Sequence, residues 1–364
     1  MEKLLQKSLL SSYSLFGLAL ASILGSLYSD PIFLRNLFLA LGSLLFLIAI
    51  LRLNSQNREQ EPNTRFTTST DWGIIDLSVE ETNKRTILSL TVKELILWLL
   101  LLASFFSLFL LVFYPRRYDL LSREDYIVET VTATLLFISC GIFIRIMAKL
   151  MHFYKPSNIF VITTLVLALI LFLDGMEEVS WFQRVFNIKT PQEFSGNVQG
   201  ELNIHNFATG FSHKAYFFGA FCLFIFLPFL KAETSLLGKK IFSFFLPSRF
   251  LIFTGTLFMA YDFDAYFSNP LPQFTYLVTL FILIYYTWRL RSVDMTFLLP
   301  ILVIYYLLAP FVFSNFAFQL GVNAWRIGEY KELSISVCFL LYSLEILSKG
   351  KPLESIDLPK STWS

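Results

Sequence analysis

A chain of 364 residues with a mean hydropathy of +0.61, 55% hydrophobic side chains and 15% charged ones carries too much hydrocarbon for a water-soluble domain, whose charged share is about a quarter. Its 29 basic and 27 acidic residues leave a formal charge of +2, which excludes a strongly basic nucleic-acid-binding surface. The composition implies a protein embedded in lipid.

Apolar runs of about 18 residues or more cross a hydrocarbon core about 30 Å thick. They predict an all-α, polytopic bundle of ten transmembrane helices at 9–28, 32–51, 95–114, 127–147, 158–176, 213–230, 250–267, 272–288, 295–318 and 332–347. Continuous apolar runs lack the alternation of a barrel, and helices satisfy their own backbone where lipid offers no hydrogen bond. Lys3 and Lys7 followed by Ala19-Leu20-Ala21 also suit a cleaved signal peptide. Apolar character persisting to Tyr28, and the turn signal Asp30-Pro31, favour a retained first helix. Residues 1–51 then form a first hairpin, 52–94 a polar insert, 95–347 the main bundle and 348–364 a tail. The centre of the insert, DWGIIDLSVEE at 71–81, is apolar enough to form a short strand or to dock on the membrane surface.

Most Lys and Arg residues fall on one side of this ten-span arrangement, among them Arg52, Arg58, Lys149, Lys155, Lys239, Lys240, Arg289 and Lys349. Basic loops stay cytoplasmic, so both termini are predicted inside and the chain is placed in the inner (cell) membrane with lipids as its constant partners. Cys140, Cys222 and Cys338 lie inside spans without metal-type spacing and read as small packing residues.

This orientation leaves Asp125, Glu129, Asp174, Glu177, Glu178, Glu201, Asp262, Asp264, Glu329 and Glu332 outside, near span ends, with Arg184 and Arg326 as counter-charges. Ionisable groups at membrane depth are costly and gather around polar cavities, so these carboxylates predict one shared extracytoplasmic site with segment 177–212 at its centre. Ser122 with Asp125 reads as the cap of the fourth span, and Lys331-Glu332 as a marker of the water interface. Arg326, Glu329 and Glu332 follow one another at i,i+3 spacing.

Glu177 and Glu178 point to different sides of their helix, and Arg184 returns toward one of them. Thr190-Pro191-Gln192-Glu193 is a capping box that starts a short helix, and Glu201 and His205 then share a helical face. That pairing suits a carboxylate orienting an imidazole, or two ligands of a divalent metal, for which Glu178, Glu201 and His205 are the candidates. Glu177, Glu178 and His205 are the candidate catalytic groups; Arg184, Trp181, Asn206, Arg326 and Glu329 are the candidate substrate contacts. Trp181 and Phe182 also suit a simple headgroup anchor.

The block Glu177-Glu178-Val179-Ser180-Trp181-Phe182-Gln183-Arg184, with His205-Asn206 later, resembles a family of bacterial multi-pass membrane proteins that share an EE-x-SW-x-QR block and an HN pair. That family has no assigned activity, so the resemblance implies membrane location and no mechanism. Glu177, Glu178, Arg184 and His205 are also similar to the parts of CAAX-type intramembrane proteases. The spacing departs from theirs: the arginine comes late, and only His213 is near enough to replace their later histidines.

These residues lead to a membrane enzyme, a hydrolase or transferase acting on a lipid-borne substrate, in which apolar walls raise a glutamate into the range of a general base. A non-catalytic part of a membrane complex is the alternative. A transporter ranks behind both, since the third, fifth and sixth spans are almost unbroken Leu, Ile, Phe and Val.

Overall fold

The computed structural model describes residues 14–26, 32–60, 91–123, 126–183, 186–192, 209–234, 237, 244–261, 270–290, 293–313 and 317–349. All regular elements among them are helical. In chain order they are α1 (Ser14–Ser26), α2 (Ile32–Gln60), α3 (Val92–Phe113), α4 (Pro115–Leu121), α5 (Ile127–Met151), α6 (Ile159–Glu178), α7 (Thr209–Phe221), α8 (Leu227–Glu233), α9 (Arg249–Met259), α10 (Pro270–Arg289), α11 (Val293–Phe311), α12 (Ala317–Gln319) and α13 (Ala324–Lys349).

Six helical stretches are long and apolar enough to span a membrane: Leu34–Arg52, Val92–Phe113, Ile127–Met151, Ile159–Glu178, Ser212–Glu233 and Pro270–Arg289. Three more apolar helices, Ser14–Ser26, Arg249–Met259 and Met295–Phe311, are shorter. The predicted tenth span lies within α13, a 26-residue helix that carries Arg326, Glu329, Lys331, Glu332, Glu345 and Lys349. At the bounds of the predicted insert, α2 continues to Gln60 and α3 starts at Val92. Residues 71–81 and both termini lie outside the described residues.

The helices are apolar on the outside. On α3, Leu95, Leu99, Leu102, Phe106, Phe109 and Phe113 are exposed at alternating steps of four and three, while Leu97, Leu101, Leu108 and Leu111 face inward. On α6 the inward stripe is Val161, Thr164, Ala168, Leu171 and Gly175, small residues that let α5 approach closely. A side-chain carbon on Gly175 would lie 3.0 Å from the Phe137 ring of α5. Helix α9 is buried on every side from Phe250 to Met259, which explains its all-round apolar sequence. Between α7 and α8, Cys222–Phe226 form a π turn in which the Leu227 N–H reaches the Cys222 carbonyl. Pro228, which lacks an N–H, follows it and accounts for the local change of pitch.

At the end of the bundle where α8 and α10 finish and α9 starts, two buried carboxylates are closely partnered. Glu233, 1% exposed, is paired with Arg289, lies 3.5 Å from Arg249 and accepts hydrogen bonds from the hydroxyls of Tyr285 (2.8 Å) and Tyr286 (3.2 Å). Glu345 is fully buried, 2.7 Å from Lys349, and accepts from the Ser248 hydroxyl at 2.7 Å. Replacing Glu233 with alanine strands two guanidinium groups beside apolar helices. The expected cost is about 3–5 kcal/mol, measurable as a large fall in the thermal midpoint of the detergent-solubilised protein.

Candidate functional site

The opposite end is built by the first turns of α5, α7 and α13 and the last turn of α6. Helix α6 closes on Glu177 and Glu178, and a left-handed turn follows in which Ser180, Trp181 and Phe182 have φ of 46°, 53° and 56°. Such backbone costs an L-residue about 1–2 kcal/mol. Two contacts hold the turn: the Trp181 indole N–H donates to Glu177 Oε1 at 2.8 Å, and Phe182 stacks on Phe137 at 6.3 Å. The two glutamates therefore diverge as their spacing predicts, Glu177 toward Trp181 and Glu178 into the bundle.

One carboxylate oxygen from each of Glu178, Glu329 and Glu332 lies within 4.8 Å of the others. Asp174, one turn before Glu178, and Glu129 of α5 also act electrostatically on Glu178 and Glu332. A histidine and a lysine stand beside this cluster. His213 Nε2 lies 4.0 Å from Glu332 Oε1, and Lys331, 4% exposed, sets its ammonium 3.3 Å from the centre of the Phe217 ring. Tyr216, one turn from His213, faces Asp174, Glu332 and Glu178. Carboxylates this close repel one another unless a proton or a cation is shared among them. The three nearest oxygens also have the spread of ligands around a hard divalent ion, whose opposite donors stand about 4–5 Å apart. Glu178, Glu329 and Glu332 are the described residues able to hold one.

The structure thus brings together Glu129, Asp174, Glu178, Glu329 and Glu332. Arg326 is directed elsewhere: its Nη1 donates to the Ser122 carbonyl at 2.9 Å, and its Nε lies 3.6 Å from Asp119 Oδ1. Arg184, Glu201, His205, Asn206, Asp125, Asp262 and Asp264 lie outside the described residues, as does most of the segment after the Thr190 capping box. One smaller expectation is corrected. Ser122 closes α4 rather than capping α5: its hydroxyl donates back to the Tyr118 and Asp119 carbonyls of the last turn, and the residue before α5 is Tyr126. Lys331 is buried, and Glu332 joins the cluster. Lys331 and Tyr216 were not among the candidate site residues, and His213 entered only through the protease resemblance. The i,i+3 repeat of His213 and Tyr216 at the head of the 213–230 run was the available signal.

Fold and composition together define a helical membrane protein with an acidic cluster at one end of its bundle. No protein-family model, curated protein or solved structure matches the chain.

Glu178→Gln keeps the shape of the side chain and removes one of the crowded charges. In cation-free buffer at pH 8 it is expected to raise the thermal midpoint, by the equivalent of about 1–3 kcal/mol. A fall comparable to that of the Glu233 variant would mean that the cluster does not repel itself.

Proposed function

We propose that the protein is a multi-pass enzyme of the cell membrane, a hydrolase or transferase that acts on a lipid-borne substrate at the extracytoplasmic face. The observation that carries this reading is the convergence of Glu178, Glu329 and Glu332 at one end of an apolar bundle, beside His213 and Tyr216. The arrangement of ten passes with both termini inside belongs to the same proposal and rests on the distribution of Lys and Arg.

In this reading Glu178 takes the proton from the attacking water or hydroxyl. Glu329 and Glu332 would hold with it a divalent cation, to which Glu201 and His205 are further candidate ligands. Such an ion would reverse the sign of the site and attract an anionic headgroup to a cluster that otherwise repels it. His213 and His205 are the candidate proton donors to the leaving group, with Glu177 behind Trp181 at the rim. Arg184, Trp181 and Asn206 are the candidate contacts to the headgroup. The apolar outer face of α6 lets the substrate's hydrocarbon remain in lipid while its polar end meets the carboxylates.

The test uses the purified full-length chain in vesicles carrying phospholipid and polyprenyl-phosphate headgroups, with release or transfer of the headgroup as the readout and chromatographic homogeneity as the check on folding. Glu178→Gln and His205→Ala are each expected to lower turnover by about 100-fold or more. Metal analysis of the wild-type protein is expected to find a divalent ion that Glu332→Gln loses. Wild-type turnover in both folded variants would remove the enzymatic reading.

A further inference from the structure

We propose that Arg326, acting with Tyr118 and Tyr330, is a clamp that sets the rotation of α13 and so positions Glu329 and Glu332 against Glu178. The inference rests on the reading of the carboxylates as the working site, and it assigns Arg326 a positioning role in place of substrate contact.

The clamp joins two elements far apart in sequence. Arg326 donates to the carbonyl of Ser122 at 2.9 Å, and its Nε approaches Asp119 to 3.6 Å. Asp119 is fixed in turn by Arg123, whose Nε and Nη2 donate to its Oδ2 at 3.1 and 2.9 Å. One turn along α13, the buried Tyr330 hydroxyl donates to the Tyr118 carbonyl at 3.2 Å, and the two rings stack at 4.2 Å and 20°. Tyr118 is itself fully buried, so α4 offers α13 a rigid seat.

Helical geometry turns this seat into control of the site. Residues 326 and 330 lie on one face, while at about 100° per residue 329 stands about 80° and 332 about 140° around the axis from the middle of that face. The tyrosine stack and the arginine bonds therefore leave the carboxylates untouched and fix the angle at which they are presented. A one-residue rotation of α13 would carry both glutamates away from Glu178. The charge of Arg326 alone has the opposite effect on a cation site: removing a nearby positive charge strengthens cation binding, whereas losing the clamp weakens it.

The experiment labels the carboxylates of the full-length protein in detergent with a hydrophobic carbodiimide and maps the adducts by mass spectrometry over a Mn2+ titration. Wild type is expected to be labelled at Glu178 and Glu329 and protected by Mn2+. Arg326→Ala should need about tenfold more Mn2+ for the same protection, the scale seen when groups that orient metal ligands are removed. Tyr330→Phe and Arg326→Lys, which each lose part of the clamp, should fall between. Protection in Arg326→Ala at the wild-type or a lower Mn2+ concentration would overturn the clamp. If that variant does not fold, unchanged protection in both Tyr330→Phe and Arg326→Lys overturns it instead. Absence of protection in wild type defeats the cation in the functional reading, and the clamp is then decided by the ratio of Glu329 to Glu178 labelling. That ratio is expected to shift in the variants, and its constancy would sink the proposal.

Discussion

Lipid offers a peptide group no hydrogen bond, and this constraint organises everything else in the chain. Each long apolar run must close its own backbone as a helix, and each helix then has two surfaces to assign. The surface toward lipid takes Leu, Ile and Phe, as along α3 from Leu95 to Phe113. The surface toward other helices takes small or interlocking residues, as along α6 from Val161 to Gly175. Charged side chains have no place on either surface and collect at the ends, where several helices contribute to one polar volume.

The two ends use that freedom differently. Around Glu233, two arginines and two tyrosine hydroxyls meet one carboxylate, and around Glu345, Lys349 and Ser248 do the same. Buried ions so closely matched are explained by structure alone, since removing one partner leaves an isolated charge. At the other end Glu129, Asp174, Glu178, Glu329 and Glu332 gather beside Lys331 and His213. Carboxylates gathered in this way are costly unless a proton, a cation or a basic partner is shared among them.

The sequence carried the class of the fold, because hydropathy measures the helix requirement directly. It also carried the divergence of Glu177 from Glu178, which follows from adjacent positions on a helix, and the approach of Glu329 to Glu332 at i,i+3. Packing between helices was not legible. His213 and Tyr216 enter the cluster because α7 presents its first turns to α6 and α13, and helical periodicity names a face without naming its neighbour. Arg326 shows the same limit from the other side. Its spacing to Glu329 is that of an ion pair, but Asp119 and the Ser122 carbonyl, more than 200 residues earlier, take its guanidinium. Length criteria fail for the opposite reason at α9: an 11-residue helix is too short to span lipid alone, yet its complete enclosure by neighbours explains why it is apolar throughout.

The turn after α6 links these observations. Three consecutive non-glycine residues in left-handed backbone are unfavourable together, and glycine would relieve the cost at any of them. The chain instead places Trp181 and Phe182 there, and both side chains are used: the indole holds Glu177 at the rim while the phenyl ring lies on Phe137 of α5. With Glu177 drawn away, Glu178 alone remains to meet Glu329 and Glu332. Strain of this kind persists only where surrounding contacts over-determine it. Here it coincides with the one place where the described carboxylates crowd together. Backbone strain and like-charge repulsion are separate costs borne by the same few residues.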